Sequence, residues 1–506
     1  MSTLHGSNLI AGQESSLGTA KFRSTAPASG DALEPAYAEA TPQEIERAVA
    51  LADSCVEYLA TVPAAQIASL LDRIASEIEA LGDDLINLAT KETGLPVARL
   101  TGERARTTGQ LRLFAELVRD GSWKGVRKDA ALPERQPARR PDLRRTVVPI
   151  GPVAVWPASN FPLAFSVAGG DTASALAASC PVIVKAHPGH PGTSELAATA
   201  VVRAIAQSGL PAGMFSLLQG ANPEVSLALI QHPLIAAGAF TGSLGAGRAL
   251  FDAAARRPVP IPFFAEMGSV NPLVLLPEIL EQRGESIAEG LFQSVTLGFG
   301  QFCTCPGLVL AVEGPVLDRF AQALRTRFQA GTPGVMLTPS IAGSYCNAVE
   351  RISRLAGVTA YHNQSQDGVP VLFETTDKSF LGNEDLRHEI FGPATVLVRC
   401  DSSKKLVDLA KHLEGSLTAT VHGTHRDLEE NRPLLAVLTR KVGRLVFNGF
   451  PTGVEVCASM QHGGPYPATT DPRFTSVGST AIERFARPVT FQDCPPEFLP
   501  PELQAL

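Results

Sequence analysis

The amino-terminal part of the chain carries apolar residues at helical spacing. Thr41 followed by Pro42 predicts the start of a helix, because threonine caps helix N-termini and proline suits the first helical position. Further helical patterns cover residues 70–81 and 111–118. Residues 121–145 are rich in arginine, lysine and proline, so we expect an exposed arm or linker there.

Two later blocks alternate short apolar runs with helical stretches. The predicted strands are 153–156, 182–185, 214–218, 235–240 and 273–276 in the first block, and 308–312, 395–398, 417–421 and 444–447 in the second. Such alternation is typical of βαβ units around a parallel sheet. The sequence therefore predicts an α/β protein with two parallel-sheet lobes, in which ligands bind at the carboxyl ends of the strands.

Composition is that of an ordinary globular protein. Of the 506 residues, 44% are hydrophobic and 18% are charged, and the net charge is −7. This mild acidity gives no reason to expect nucleic acid as a partner, and no apolar stretch reaches the roughly 18 residues of a membrane span. Residues 1–15 lack a basic start followed by an apolar run, and the eight scattered cysteines are typical of reduced thiols. We therefore expect a cytoplasmic protein without a membrane partner.

A cysteine-containing turn is the most informative segment for chemistry. Residues 300–307 read GQFCTCPG and lie between a helical pattern and a predicted strand. A thiol on such a turn suits a nucleophile, and Cys303 and Cys305 both qualify, although most cysteines are buried structural residues. A Cys-x-Cys pair also binds metals, but a zinc site of that kind needs a second close pair, which the sequence lacks. We therefore expect no metal.

Two other segments offer groups that a thiol attacking a carbonyl needs. Glu266 follows the apolar run 259–264, where a carboxyl group has a raised pKa and suits a general base. Asn160 precedes Phe-Pro and offers an amide donor to an oxyanion. Taken alone, Glu266 is equally a solvated residue at a strand end and Asn160 an ordinary turn residue.

A glycine-rich loop and a lysine suit a phosphate-bearing ligand. Residues 240–247 read FTGSLGAG, follow a predicted strand and enter a helical pattern, as phosphate-binding loops do. The spacing differs from the GxGxxG fingerprint, so a plain turn is the alternative. Lys185 ends a predicted strand, where a lysine either binds ribose or phosphate or is simply solvated.

Together these motifs resemble the aldehyde dehydrogenase superfamily over nearly the whole chain. The resemblance rests on Gly300-Gln301-Phe302-Cys303, Ala265-Glu266-Met267-Gly268, Ser159-Asn160-Phe161-Pro162 and the loop at 240–247. It implies two Rossmann-like lobes with a small oligomerisation arm. It also implies that Cys303 forms a thiohemiacetal and then a thioester with an aldehyde, that Glu266 is the general base and that Asn160 stabilises the oxyanion. Cys305 falls at a variable position of the family motif.

The same resemblance implies a nicotinamide cofactor. The residues it assigns to the cofactor are Lys185, Gly242, Ser243, Gly247, Glu389 and Phe391. Where members that prefer NAD commonly carry a glutamate for the ribose 2′-hydroxyl, this chain has Pro188. Loss of a carboxylate removes repulsion against a 2′-phosphate. We therefore expect NADP as the cofactor, with NAD as the alternative.

Several stretches resemble the bacterial α-ketoglutaric semialdehyde dehydrogenases of this superfamily. They are residues 92–96, 101–104, 160–178, 185–195 and 448–454, together with His462-Gly463-Gly464 in place of a common Phe-Gly-Gly element. The implied reaction is oxidation of α-ketoglutaric semialdehyde to 2-oxoglutarate. Since this aldehyde carries a carboxylate, Arg106 and secondarily Arg104 are its predicted partners, with Phe165 and Phe450 as apolar tunnel walls.

Domain organisation follows from the same resemblance. Residues 1–125 and 146–265 are predicted to form the dinucleotide-binding domain, residues 266–475 the catalytic domain, and residues 126–145 and 476–506 an oligomerisation arm and tail. A strand-like run at 487–492 is suited to pairing with another subunit. Family members typically assemble as homodimers or homotetramers, and we expect the same of this protein.

Three alternatives to this function remain open on the sequence alone. One is an NADP-dependent dehydrogenase of neutral medium- or long-chain (fatty) aldehydes. Another is a thiol hydrolase or acyltransferase that uses Cys303 without redox chemistry. The third is a non-catalytic binding protein on the same fold, which would need none of Cys303, Glu266 and Asn160.

Overall fold

The computed structural model describes residues 4–364 and 368–504. Its strands are β1 (Asn8–Ile10), β2 (Gln13–Ser15), β3 (Lys21–Phe22), β4 (Tyr37–Ala38), β5 (Arg127–Asp129), β6 (Leu143–Pro149), β7 (Val153–Trp156), β8 (Val182–Lys185), β9 (Phe215–Leu218), β10 (Ala237–Thr241), β11 (Phe263–Glu266), β12 (Pro272–Leu275), β13 (Leu308–Val312), β14 (Thr359–Tyr361), β15 (Val371–Thr376), β16 (Ala394–Cys400), β17 (Ser416–His422), β18 (Val442–Phe447) and β19 (Ala486–Gln492).

Its α-helices are α1 (Pro42–Asp53), α2 (Val56–Leu59), α3 (Ala64–Ala80), α4 (Gly82–Thr93), α5 (Val97–Asp120), α6 (Gly170–Ala177), α7 (Pro191–Gln207), α8 (Pro223–Gln231), α9 (Leu244–Ala255), α10 (Pro277–Thr296), α11 (Pro315–Gln329), α12 (Pro339–Ser353), α13 (Asp377–Gly382), α14 (Ser403–His412), α15 (His425–Glu430), α16 (Arg432–Thr439) and α17 (Pro501–Gln504).

The amino-terminal helices agree with the sequence prediction. Thr41 caps α1 through a capping box, in which its side chain accepts from the backbone N–H of Glu44 and the Glu44 carboxylate accepts from the backbone N–H of Thr41. The helical patterns predicted at 70–81 and 111–118 lie within the longer helices α3 and α5. Both helices place their apolar faces against the first sheet and its helices.

The first large sheet has the strand order β11-β10-β7-β8-β9-β1-β2. The five strands from β11 to β9 are parallel, whereas β1 and β2 pair antiparallel at one edge. β8 is buried at every position, as expected for a strand covered by helices on both faces. Four of the five strands predicted for the first block lie in this sheet as β7, β8, β9 and β10, whereas the run predicted at 273–276 is β12 of the second sheet. β11 and the amino-terminal strands were not predicted.

The second large sheet has the order β14-β15-β16-β13-β12-β17-β18. All its pairs are parallel except β14 with β15. Helices α10 and α11 cover one face and α12, α14 and α16 the other, and two apolar clusters fill the space between helices and sheet. The expected α/β class with two parallel-sheet lobes is therefore confirmed.

A third, smaller sheet has the order β19-β6-β5. β19 corresponds to the strand-like run predicted at 487–492, and it pairs antiparallel with β6 of its own chain. Residues 127–139 are all exposed, as expected for an arm. The division into residues 1–125 with 146–265, 266–475, and 126–145 with 476–506 stays a prediction, and a few residues of these ranges lie outside the described chain.

The path of the chain brings the ends of several parallel strands together. In the register of β10 with β11, Thr241 lies opposite Glu266 at the carboxyl ends of both strands. The chain then leaves the first sheet after Glu266 and enters the second at Pro272. The region between the two sheets is therefore the expected place for a site. No described helix is both long and apolar enough to cross a membrane.

Candidate active site

The thiol of Cys303 sits on a tight turn between two regular elements. α10 ends at Thr296, a short 3₁₀ turn follows, and β13 begins at Leu308. Gly300 in this turn has a φ of +68°, and a Cβ there would lie 2.2 Å from the backbone of Gly392. The turn therefore requires glycine at position 300 for both its conformation and its close approach.

Two amide side chains hold this turn in place. Asn271 donates from Nδ2 to the carbonyl oxygens of Cys303 (2.8 Å) and Cys305 (3.0 Å). Gln301 accepts at Oε1 from the backbone N–H of Leu337 over 2.8 Å. Because both amides are nearly fully buried, these bonds fix the position of the Cys303 thiol.

The carboxylate of Glu266 and the imidazole of His462 lie next to the thiol of Cys303. His462 Nε2 lies 3.0 Å from Glu266 Oε1 and 3.5 Å from Cys303 Sγ. The Ser476 hydroxyl donates to Glu266 Oε2. Glu266 and His462 are 3% and 1% exposed, whereas Cys303 is partly exposed, so a substrate reaches the sulfur first. The two predicted residues, Cys303 and Glu266, are therefore brought together, and His462 joins them.

Electrostatics sets the resting protonation of this group. Burial, the charge of Glu266 and a hydrogen bond to Glu266 raise the pKa of the Cys303 thiol well above its usual value. Burial alone would raise the pKa of Glu266, but the electrostatic influence of His462 and hydrogen bonds from His462, Ser476 and Cys303 lower it overall. The resting site thus holds a neutral thiol beside an ionised carboxylate.

The expectation of a raised pKa for Glu266 is therefore wrong. It considered only the apolar run before the residue, which does desolvate the carboxyl group. It could not include His462 and Ser476, which lie 196 and 210 positions away along the chain.

Asn160 faces the same cleft as Cys303. Its Nδ2 donates to the carbonyl oxygen of Gln301 over 2.9 Å, which uses one of its two amide hydrogens. Its own carbonyl oxygen accepts from Arg99 over 2.6 Å. Asn160 is 6% exposed and lines the cleft beside Cys303, so its second amide hydrogen is available to an oxyanion there.

A long cleft of about 1400 Å³ runs from Cys303 and Glu266 across the ends of the first sheet. The residues assigned to a cofactor that line it are Lys185, Gly242, Ser243, Glu389 and Phe391. Ser243 caps α9, so the amino end of that helix faces the cleft. Gly247 is not among the lining residues. A side chain at Gly247 would lie 2.7 Å from Met267, so this glycine permits close packing of the helix.

Several buried polar groups along the cleft are incompletely paired. Burial lowers the pKa of Lys185 to about 8, and its ammonium has no ion-pair partner among the described residues. Burial raises the pKa of Glu389 to about 8, opposed by a hydrogen bond from the backbone of Ser269. Thr241 Oγ1 is buried without a hydrogen-bond partner within the described chain. These groups suit a ligand that carries both hydroxyl groups and phosphate.

Arg106 belongs to an aromatic cluster near the thiol. Its guanidinium carbon lies 5.3 Å from the ring centre of Phe165 and 5.7 Å from that of Phe161. The Phe165 ring lies 6.4 Å from the His462 ring, and the Phe161 ring lies 5.5 Å from that of Phe302. Burial lowers the pKa of Arg106, and the nearby charge of Cys303 is the largest influence in the opposite direction.

The other two residues assigned to the substrate lie away from this cluster. Arg104 donates from Nη1 to the carbonyl oxygen of Gly82 over 2.7 Å. Residues two apart on a helix point to nearly opposite faces, which separates Arg104 from Arg106. The Phe450 ring packs on Gly290 of α10 and lies 5.1 Å from the His422 ring. None of the four residues assigned to the substrate (Arg104, Arg106, Phe165 and Phe450) is among the residues that line the cleft. Arg106 and Phe165 belong to the aromatic cluster near the thiol, whereas Arg104 and Phe450 have no described contact with it.

Three residues of the site were not predicted as such. Asn271 and Ser476 stand in no motif that marks them. His462 carried a signal, since it replaces the phenylalanine of a common element, but the sequence did not place it beside Cys303. The chemical role of a histidine beside two glycines can be inferred only when the groups around its ring are known.

Comparisons with known proteins agree with this geometry. Residues 14–469 match the family model described as the aldehyde dehydrogenase family. The chain is 50% identical over 504 residues to "Alpha-ketoglutaric semialdehyde dehydrogenase 2" of Azospirillum brasilense, covering 98% of this chain and 96% of that protein. It is 47% identical over 475 residues to "Alpha-ketoglutaric semialdehyde dehydrogenase" of Acinetobacter baylyi, covering 92% of this chain and 90% of that protein.

A solved structure gives the same fold. The NAD+ complex of aldehyde dehydrogenase from Bacillus cereus superposes with a TM-score of 0.80 at 22% identity, covering 96% of each chain. The predicted resemblance is thereby confirmed over nearly the full length. The chain therefore belongs to the aldehyde dehydrogenase family and is an oxidoreductase.

Proposed function

We propose that the protein oxidises α-ketoglutaric semialdehyde (2,5-dioxopentanoate) to 2-oxoglutarate, with NADP or NAD as hydride acceptor. The observation that carries the proposal is the convergence of a thiol, an imidazole and a carboxylate. His462 Nε2 lies 3.5 Å from Cys303 Sγ and 3.0 Å from Glu266 Oε1. The choice of aldehyde is supported by the two relatives at 50% and 47% identity, whose names specify this semialdehyde.

The residues along the cleft fit a nicotinamide dinucleotide. Lys185, buried and without an ion-pair partner among the described residues, suits the adenosine ribose or its phosphate. The amino end of α9 behind Ser243 suits the pyrophosphate, and Glu389 suits ribose hydroxyls. When bound, the nicotinamide supplies the acceptor for a hydride.

The first task of the protein is to ionise and aim the thiol. Because the pKa of Cys303 is raised well above its usual value, a base must take its proton as the sulfur attacks the aldehyde carbon. Glu266, held as a carboxylate, lies close enough to accept it, and His462 contacts both groups. The carbonyl oxygen gains negative charge in this step, and the second amide hydrogen of Asn160 is the proposed donor to it, which the position of Asn160 in the cleft lining supports.

The second task is hydrolysis of the thioester that remains on Cys303 after hydride loss. Glu266 is held as a carboxylate, which is the form that accepts a proton from water. Attack of that water on the acyl carbon breaks the carbon–sulfur bond, releases the carboxylate product and returns the thiol. Ser476 keeps the Glu266 carboxylate oriented through both steps.

An aldehyde panel tests the proposed function. The purified protein would be given 2,5-dioxopentanoate, pentanal and octanal, each with NADP and with NAD, and formation of reduced nicotinamide would be followed. We expect the highest kcat/KM for 2,5-dioxopentanoate. A preference for the neutral aldehydes would move the assignment to a fatty aldehyde dehydrogenase. Ester cleavage without reduced nicotinamide would instead indicate a thiol hydrolase.

Arg106 is the proposed partner of the substrate carboxylate. Its Nε and Nη2 atoms are buried without a hydrogen-bond partner in the described chain, so a bound carboxylate would complete their bonding. We expect Arg106→Ala to raise the KM for 2,5-dioxopentanoate by about 10- to 100-fold, because a charge-assisted hydrogen bond is lost. Pentanal, which has no carboxylate, should show a much smaller change.

Arg104→Ala is the matched control for that variant. Arg104 lies on the same helix and contacts Gly82 instead of the aromatic cluster, so its removal should leave the ratio of the two KM values unchanged. If Arg106→Ala affected both aldehydes equally, Arg106 would play no part in selecting the carboxylate.

Pro188 is the proposed determinant of cofactor preference. It lines the cleft together with Lys185, at a position without a carboxylate. We expect Pro188→Glu to weaken binding of NADPH relative to NADH by about tenfold or more, through repulsion of the 2′-phosphate. Fluorescence titration of each reduced cofactor would measure this ratio, and Pro188→Ala serves as the uncharged control. An unchanged ratio in Pro188→Glu would place the 2′-phosphate elsewhere.

We also propose that the protein acts as a homodimer or homotetramer in the cytoplasm. In support, β19 is an edge strand of the small sheet, and most of its side chains are exposed or half-buried. Such an edge suits pairing with a second copy of the chain. Light scattering on the purified protein would give the molar mass, and a monomer mass would contradict the proposal.

A further inference from the structure

Three donor atoms at the active site converge in the way that a metal ion requires. One sulfur of Cys303, one nitrogen of His462 and one carboxylate oxygen of Glu266 all lie within 4.8 Å of one another. Within residues 4–364 and 368–504, no other three histidine, cysteine, aspartate or glutamate side chains bring their donor atoms this close together. We propose that the three residues form a binding site for a thiophilic divalent cation such as Zn²⁺, and that an ion bound there blocks the dehydrogenase.

Two of the three distances between ligand atoms match a tetrahedral centre. Zinc bonds of about 2.3 Å to sulfur and about 2.0 to 2.1 Å to nitrogen and oxygen place sulfur and nitrogen ligands roughly 3.6 Å apart, and nitrogen and oxygen ligands roughly 3.3 Å apart. The corresponding distances here are 3.5 Å from Cys303 Sγ to His462 Nε2 and 3.0 Å from His462 Nε2 to Glu266 Oε1. The third pair, Cys303 Sγ and the Glu266 carboxylate oxygen, lies within 4.8 Å, against roughly 3.6 Å in such a centre. An ion would therefore draw these two side chains together.

Neighbouring groups already orient two of the three ligands, whereas Nδ1 of His462 is buried without a hydrogen-bond partner in the described chain. Ser476 donates to Glu266 Oε2 and leaves Oε1 directed at the histidine. Asn271 fixes the backbone of Cys303. Outer-shell bonds of this kind are what hold ligands in place in protein metal sites. Three protein ligands leave a fourth position for water, and Cys303 and Glu266 line the cleft through which an ion would enter.

Charge balance favours the ion as well. Binding requires the thiol to release its proton to solvent, which leaves a thiolate beside the Glu266 carboxylate. Two such anions at this separation repel each other when no cation lies between them, whereas a dication neutralises both. The ion also takes the place of the proton that His462 and Glu266 share. The nearby Cys305 is not involved, since its sulfur points to the carbonyl oxygen of Val295 at 3.8 Å.

Inhibition follows from which residues the ion would occupy, and this part of the inference rests on the proposed function. A thiolate bound to Zn²⁺ is not free to attack an aldehyde, and a coordinated Glu266 cannot accept a proton from water. Removal of the ion by a chelator restores both groups. The metal is thus a reversible blocker of the reaction and has no part in the reaction itself.

Cobalt titration tests the binding without reference to activity. The full chain would first be treated with a chelator and then titrated with Co²⁺, whose charge-transfer absorption in the near ultraviolet reports thiolate ligation. We expect saturation at about one Co²⁺ per chain and loss of the band on addition of Zn²⁺. Cys303→Ser should abolish the band. His462→Gln and Glu266→Gln should weaken binding by at least the roughly 10- to 100-fold seen when an outer-shell partner is removed.

Cys305→Ser and Cys346→Ser are the matched controls, the first for the neighbouring buried thiol and the second for an exposed one. Both should retain the band and the stoichiometry. Thermal melting of each variant would establish that it folds. A band that persists in Cys303→Ser, an affinity unchanged in His462→Gln, or an absence of saturable binding in the wild type would each overturn the proposed site.

The activity assay separates this inference from the proposed function. Chelator-treated protein should oxidise the aldehyde, lose that activity on addition of Zn²⁺ and regain it with excess chelator. Aldehyde oxidation that persists when the site is saturated with Zn²⁺ would overturn the inhibition. Binding of Co²⁺ with no aldehyde oxidation in the metal-free protein would overturn the proposed function alone.

Discussion

Replacing Cys303 by serine is expected to lower aldehyde oxidation by roughly a thousandfold or more, as removal of a catalytic nucleophile typically does. The structure already raises the pKa of the thiol well above its usual value, so His462 and Glu266 must assist its ionisation. A serine hydroxyl is a far weaker acid than a thiol, and the same two bases are insufficient for it. Steady-state formation of reduced nicotinamide from 2,5-dioxopentanoate measures the loss.

Cys305→Ser is the control for this variant. Cys305 is buried behind the turn, two positions from the nucleophile, and has no described contact with His462 or Glu266. Its substitution should leave most of the activity, with melting temperatures confirming that both variants fold. An active Cys303→Ser protein would show that Cys303 is not the nucleophile. The same conclusion would follow if, beside it, the folded Cys305→Ser protein were inactive.

The second large effect is expected from Glu266→Gln. A glutamine keeps the shape of the side chain and can still bond to His462 and Ser476, but it cannot accept a proton from water. Loss of a general base typically costs about 100- to 10,000-fold in rate. If Glu266 serves hydrolysis of the thioester, rapid mixing should show a first burst of reduced nicotinamide followed by a very slow steady state. Loss of the burst together with the steady state would instead place Glu266 in the attack step.

The pH dependence offers a separate check on Glu266. Its pKa lies below the usual value because of His462 and Ser476, so the carboxylate persists as the pH falls through the usual titration range of a glutamate. The acid limb of the wild-type rate profile should therefore lie below that range. Ser476→Ala removes one of the three groups that lower the pKa, so it should shift this limb to higher pH. An unshifted limb would show that another group controls it.

Most strands of the parallel sheets were predictable because they are short, buried apolar runs, although β11 and β15 were missed. The strands predicted at 153–156, 182–185 and 308–312 have the observed bounds of β7, β8 and β13. By contrast, β1 and β2 have three residues each, and β1 pairs with β9 about two hundred positions away. A strand that short has no periodicity of its own, and only its partner makes it a strand.

The residues of the site also divide into those that the sequence predicts and those that only the structure reveals. The turn around Cys303 was predictable because its function is local: a thiol among glycines, next to a strand. His462 lies 159 positions from Cys303, and nothing near it in the sequence marks that contact. The choice between Arg104 and Arg106 needed the orientation of α5 relative to the thiol, which helical periodicity alone does not supply.

The contact between Gly300 and Gly392 links two parts of the protein that serve different ligands. Gly300 belongs to the turn of the nucleophile, and Gly392 directly follows Phe391, which lines the cofactor cleft. With no room for even one methyl group between them, neither segment can shift without displacing the other. Redesign of residues 389–393 for another cofactor would therefore misplace the reactive sulfur as well, so changes of coenzyme are better attempted near Pro188, which lines the cleft from a different segment of the chain.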